Sequence, residues 1–261
     1  MSTTIPKKSL GQHWLNDDAT LLSICDAADV QKGDVVLEVG PGMGTLTRHL
    51  LKRAEKVVAV EFDTSLAATL PGKFSNAHLE VVEQDILQFD LTQLPAGYKV
   101  VANIPYYLTS KLLRVLCEST NPFSKAAILI QKEVAERAAA TPGQMSLLSI
   151  SAQYYCHVSL GPVVGRELFT PPPKVDSQVL VLEYRTEPLF EDVDTKQFFH
   201  IVKAGFSQKR KTLINSLSAG LSLSKDETRV LLEAADIEPS ARAQALSLED
   251  WYALYDVTAQ K

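Results

Sequence analysis

Short apolar runs rich in β-branched residues recur through the first half of the chain, at 35–40, 56–61, 79–83, 99–103 and 126–130. Runs of this length without strict alternation are the pattern of strands buried on both faces. Segments with helical spacing lie between them, at about 44–53, 64–70 and 109–118. Alternating strand and helix predicts an α/β domain with a mainly parallel sheet covered on both sides. Two later runs, 154–160 and 178–184, have no helical pattern between them and are expected to pair as an antiparallel edge. The connecting stretch Phe169-Thr-Pro-Pro-Pro-Lys174 is expected to be irregular, because consecutive prolines lack N–H donors and have a fixed φ.

After Arg185 the pattern changes. Pro188 and the acidic residues Glu191, Asp192 and Asp194 precede about four amphipathic helical segments with no strand pattern. Ser224-Lys-Asp-Glu227 reads as a capping box ahead of Val230, Leu231 and Leu232, and Ser247-Leu-Glu-Asp250 as the start of the last helix. The expected organisation is an α/β domain over 1–185 and a small all-α C-terminal domain over 186–261.

Composition narrows the function classes. With 46% hydrophobic and 22% charged residues the chain is that of an ordinary globular protein. Neither a secretory leader nor a membrane span is visible, so a cytoplasmic, non-membrane protein is expected, taken as a monomer. Cys25, Cys117 and Cys156 lie far apart, which suggests three core thiols and no metal site. A net charge of -5 argues against indiscriminate binding to polyanions. Its distribution is uneven: between Lys196 and Lys225 stand Lys203, Lys209, Arg210 and Lys211 and no Asp or Glu. That is either a local cationic patch or a solvated helix face.

Glu38-Val-Gly40-Pro-Gly42-Met-Gly44 is a glycine-rich turn where a strand hands over to a helix. Such glycines let backbone approach a ligand at positive φ, although Thr45 stands where a dinucleotide fingerprint needs its third glycine. Glu61, about twenty residues after Gly40, ends the second strand, where a carboxylate can accept hydrogen bonds from ribose hydroxyls. Asp85, followed by Ile86, comes after the third strand. Ligands of open α/β sheets bind at the carboxyl ends of strands, and all three features fall there, favouring a nucleoside-bearing cofactor.

Asn103-Ile104-Pro105-Tyr106 ends the fourth strand. The exocyclic amine of adenine is a poor nucleophile because its lone pair is delocalised. Two acceptors on its N–H bonds, the Asn103 side-chain oxygen and the Ile104 carbonyl, would orient that lone pair toward a sulfonium methyl. Pro105 pushes Ile104 toward extended backbone, and Tyr106 offers a face for an unstacked base. No catalytic histidine is needed, so His13 reads as a wall or hydrogen-bonding residue.

These residues resemble the KsgA-type ribosomal RNA adenine dimethyltransferases, relatives of the erythromycin-resistance rRNA methyltransferases. The similarity runs through Lys8-Ser-Leu-Gly-Gln12, Glu38 to Gly44, Glu61, Gln84-Asp85, Asn103 to Tyr106, Gln131-Lys-Glu-Val134, Phe169 to Ser177 and Ala204-Gly-Phe-Ser-Gln-Lys-Arg-Lys211. The resemblance implies a Rossmann-like, S-adenosylmethionine-dependent methyltransferase domain and a helical domain that helps grip RNA. It implies cofactor contacts at His13, Leu15, Gly40, Gly42, Glu61, Asp85, Ile86 and Asn103, and a target adenine between Tyr106 and Phe169. It also implies rRNA contacts at Lys203, Lys209, Arg210 and Lys211, which Lys7 and Lys8 would join. The implied reaction is N6,N6-dimethylation of two adjacent adenosines near the 3′ end of small-subunit rRNA, in a pre-30S particle. The family's usual Gly-Gln-Asn-Phe-Leu reads Gly11-Gln-His-Trp-Leu15 here. Competing readings are methylation of large-subunit rRNA, a nicotinamide-dependent oxidoreductase, a DNA adenine methyltransferase and a non-catalytic assembly factor. Thr45 and the Asn103–Tyr106 tetrapeptide weigh against the oxidoreductase.

Overall fold

A computed structural model describes residues 6–7, 10–74 and 78–259. Lys8, expected from sequence to join the RNA contacts, lies outside them. The chain divides into two compact units, Met1–Glu136 with Cys156–Tyr184, and Arg137–Tyr155 with Arg185–Lys261.

The first unit is built on β2 (Val35–Val39), β3 (Lys56–Glu61), β4 (Leu79–Glu83), β5 (Lys99–Asn103), β6 (Lys125–Gln131), β7 (Cys156–Val164) and β9 (Ser177–Tyr184), in the spatial order β4-β3-β2-β5-β6-β9-β7. The first five are mutually parallel, and β9 and β7 close the sheet antiparallel, as the apolar runs predict. The strand order reverses at β2, with β3 on one side and β5 on the other, which opens a crevice at their carboxyl ends. Register puts the ends level: Val39 pairs with Val60 and Ala102, Glu61 with Glu83, and Asn103 with Leu129. The strand centres are apolar and buried, consistent with a sheet covered on both faces.

Helices α1 (Asp18–Ala27), α3 (Thr64–Lys73), α4 (Thr109–Cys117) and most of α5 (Lys132–Ala138) belong to this unit. Aspartates at the N-caps of α1 and α3, Asp17 and Asp63, accept from the amides of Thr20 and Ser65. The sequence pattern misses α1. Only Thr47–Leu50 of the helix expected over 44–53 is α-helical, as α2. The glycine turn holds Gly40, Gly42 and Gly44 at φ of 68°, 57° and 80°, so regular helix cannot begin before the loop is passed. A side chain at Gly44 would meet Phe74 Cε2 at 2.6 Å, so the loop is packed as well as turned.

The stretch from Phe169 is not wholly irregular. Phe169–Thr170 forms a short strand, β8, antiparallel to β1 (Trp14–Leu15), with Leu15 opposite Phe169 and Trp14 opposite Thr170. Pairing stops where the three prolines begin. Among the described residues no helix is long and apolar enough to cross a membrane, and all three cysteines are buried free thiols.

The second unit holds α6 (Leu147–Tyr155), α7 (Thr195–Phe206), α8 (Leu213–Leu221), α9 (Lys225–Ala234) and α10 (Leu248–Ala259). Arg137–Tyr155 packs with this unit, although it lies N-terminal to the division after Arg185 expected from sequence. Met145, Ile150 and Tyr154 supply part of its apolar core, and the Tyr154 ring lies 5.0 Å from Phe198 and 5.2 Å from Phe199. Tyr154 and Tyr155, expected to start a strand, end α6. The Ser224–Glu227 capping box is formed, and Ser247 and Asp250 bond reciprocally at the head of α10. Gly205 in α7 lets the Trp251 indole approach so closely that a Cβ would lie 2.3 Å from its Cη2.

Candidate active site

A cavity of about 240 Å³ opens at the carboxyl ends of β2, β3 and β5. His13, Leu15, Gly40, Gly42, Glu61, Asp85, Ile86, Asn103, Ile104, Pro105, Tyr106 and Phe169 all line it, so one site gathers every residue assigned from sequence to cofactor or target base.

The glycine turn is tied to β3 twice. Gly40 N–H donates to the Val60 carbonyl at 2.9 Å, and Gly42 N–H donates to Glu61 Oε2 at 3.0 Å. The other carboxylate oxygen of Glu61 accepts from Asp63 N–H at 2.8 Å. Burial pushes the Glu61 carboxyl above its usual range, and the two amide bonds oppose that rise. Each oxygen keeps lone-pair capacity for a further donor. Asp63 in turn receives Lys7 Nζ at 2.9 Å and Gln12 Nε2 at 3.3 Å, which anchors the N-terminal segment beside the cavity. Burial raises the Asp63 carboxyl, but the bonds from Lys7, the Ser65 amide and Gln12 outweigh it and hold it low. Asp85 lines the cavity while its Oδ1 accepts from Leu87 N–H at 3.0 Å, so it also acts as a cap.

Glu38 and Trp14 are two residues to which sequence reasoning assigned no role in this cavity. Glu38 is only 1% exposed and lines it with both carboxylate oxygens unpartnered among the described residues. Burial pushes its carboxyl up to about 8; Thr47, which faces it without forming a full hydrogen bond, opposes the rise, and Glu61 adds to it. Trp14 Nε1 is likewise buried without a partner among the described residues. Orphaned polar atoms around open glycines are what a polar nucleoside ligand would satisfy. The residues present therefore fit S-adenosylmethionine. Glu38 stands two residues before Gly40, and that position within the glycine motif was the one available signal for it.

Asn103 is half-buried, and its side chain makes no hydrogen bond among the described residues. Pro105 is extended at φ -57° and ψ 134°, and a single 3-10 turn, Tyr106–Leu108, follows. Tyr106 turns inward, its hydroxyl 2.8 Å from Ser177 Oγ. Its ring stacks with that of His13 at a centroid distance of 6.0 Å and 21°. His13 Nδ1 donates to the Pro171 carbonyl at 2.6 Å. Phe169 is 3% exposed and packs in the core cluster that includes Leu15 and Val179.

The four cations assigned to RNA lie in the second unit. Lys203 is on α7, and Lys209, Arg210 and Lys211 form the turn before α8. All four are exposed, and among the described residues none forms an ion pair.

Residues 5–260 match the family model described as ribosomal RNA adenine dimethylase. Curated relatives called ribosomal RNA small subunit methyltransferase A include one from Dehalococcoides mccartyi, 41% identical over 94% of this chain and 86% of its own. Another, from Clostridioides difficile, is 40% identical over 97% of this chain and 91% of its own. Among solved structures, a dimethyladenosine transferase from Plasmodium falciparum superposes with TM-score 0.79 and 28% identity, covering 92% of this chain and 95% of that one. The 23S rRNA methyltransferase ErmE gives TM-score 0.76 and 29% identity, covering 95% and 100%. The chain belongs to the ribosomal RNA adenine dimethylase family.

Proposed function

We propose that this protein transfers methyl groups from S-adenosylmethionine to N6 of two adjacent adenosines near the 3′ end of small-subunit rRNA, in a pre-30S particle. The observation that carries the reading is one cavity holding both the glycine turn with Glu61 and the Asn103–Tyr106 tetrapeptide. Small-subunit rRNA is favoured over large-subunit rRNA by the relatives at 40% and 41% identity, against 29% for ErmE. The protein is read as a cytoplasmic monomer.

S-adenosylmethionine, when bound, supplies a methyl group already activated on a sulfonium. Gly40 and Gly42 admit the ligand close to backbone, and Glu61 accepts from ribose hydroxyls with its remaining lone pairs. His13, Leu15, Asp85 and Ile86 complete the walls. Asn103 Oδ1 and the Ile104 carbonyl accept from the N6 amine, fix its lone pair and stabilise the positive charge that develops on it. Tyr106 supplies one face for the base and Phe169, which lines the same cavity, the other. Lys203, Lys209, Arg210 and Lys211 neutralise rRNA phosphates.

Labelled methyl transfer to unmethylated small subunits, large subunits and DNA, followed by nucleoside analysis, tests the reading. N6,N6-dimethyladenosine in small-subunit rRNA alone is the expected result. Label in large-subunit rRNA alone, or no transfer despite cofactor binding, contradicts it.

A further inference from the structure

Tyr106 and Tyr107 are consecutive and line the same cavity, yet their surroundings differ. Tyr106 points into the protein toward Ser177, whereas Tyr107 is 63% exposed at the rim of the same cavity. The Tyr107 ring is backed on one side: a Cβ on Gly11 would lie 3.6 Å from both its Cδ1 and Cε1. Gly11, at φ 60°, thus presents bare backbone behind the ring and leaves the remainder to solvent. Four residues on, Lys111 in the first turn of α4 lines the same cavity. It is exposed and makes no ion pair among the described residues.

An RNA strand that delivers one base to Asn103 leaves the next base outside the cavity, unstacked from its neighbour. That base has lost a stacking partner, and an aromatic face at the mouth can replace it. The phosphate between the two nucleotides must then pass the rim, where an unpaired ammonium complements its charge.

We propose that Tyr107 and Lys111 form a second nucleotide subsite, in which the base adjoining the target adenosine stacks on Tyr107 and the linking phosphate meets Lys111. The inference rests on the function proposed above, since methylating two adjacent adenosines makes each the neighbour of the other in turn. Stacking tolerates any base, modified or not, so one platform serves both rounds.

The test measures methyl transfer to small subunits by wild type, Tyr107→Ala, Tyr107→Trp and Lys111→Gln. It also follows the fluorescence of a short rRNA hairpin carrying 2-aminopurine beside the target adenosine. Loss of one stacked base predicts a rise of about 5- to 100-fold in KM for RNA in Tyr107→Ala. Affinity for S-adenosylmethionine, read by calorimetry, should stay unchanged in that variant. Wild type and Tyr107→Trp should quench the probe and Tyr107→Ala should not, while Lys111→Gln should flatten the salt dependence of KM. Quenching and KM in Tyr107→Ala within twofold of wild type would overturn the subsite. Failure of the wild type to methylate small subunits would instead sink the underlying reading.

Discussion

Gly42 N–H donates to Glu61 Oε2 at 3.0 Å, so the carboxylate expected to hold a ribose also pins the glycine turn that must admit the cofactor. The loop after β2 and the end of β3 are thereby set by one side chain. Glu61→Ala should remove both the ribose acceptor and the tie. A hydrogen bond to a charged group contributes about 1.5–3 kcal/mol, so affinity for S-adenosylmethionine should fall at least about tenfold in a calorimetric titration. Unchanged affinity would place the ribose elsewhere.

Glu38 carries a pH signature. Its carboxyl titrates near 8 in the folded protein, against an ordinary value of 4.5. Below both values folded and unfolded chains are protonated alike. As pH rises from about 4.5 to 8 the unfolded chain loses this proton and the folded chain keeps it, so stability falls. Glu38→Gln lacks that proton, and in ligand-free protein its Tm should gain on wild type by several degrees between pH 5 and 8.5. Parallel Tm curves would show that Glu38 is not held neutral.

Asn103→Ala should lower kcat by about 10²- to 10³-fold, the usual loss when one transition-state hydrogen bond at a reacting centre is removed. The residue sits at a strand end, half-buried, so Tm should move little. Activity within a few-fold of wild type would remove Asn103 from the chemistry.

The turn after α7 should act through phosphates alone. Replacing Lys209, Arg210 and Lys211 together with alanine should weaken rRNA binding and reduce the slope of log K against log salt by roughly 0.7–0.9 for each phosphate no longer neutralised. Methyl-donor affinity should not change. An unaltered slope would mean the cations are only a solvated surface.

The core strands and the capping boxes were legible in the sequence because each shows as a pattern within a few residues. A short apolar run rich in β-branched residues favours burial in a sheet, and Ser224 finds Glu227 three residues away. Most of the cavity wall was legible for a related reason: once the strands are parallel, Gly40, Glu61, Asp85 and Asn103 must emerge at one end. Other features depended on partners far along the chain. Trp14–Leu15 becomes a strand only because Phe169–Thr170 lies beside it, and α6 joins the helical core because Tyr154 finds Phe198 and Phe199. No local pattern marks Tyr107 as an exposed ring at the cavity mouth, or Glu38 as a buried acid without a partner among the described residues. Side-chain direction and desolvation are set by what the whole chain packs around a residue, and that only the tertiary structure decided.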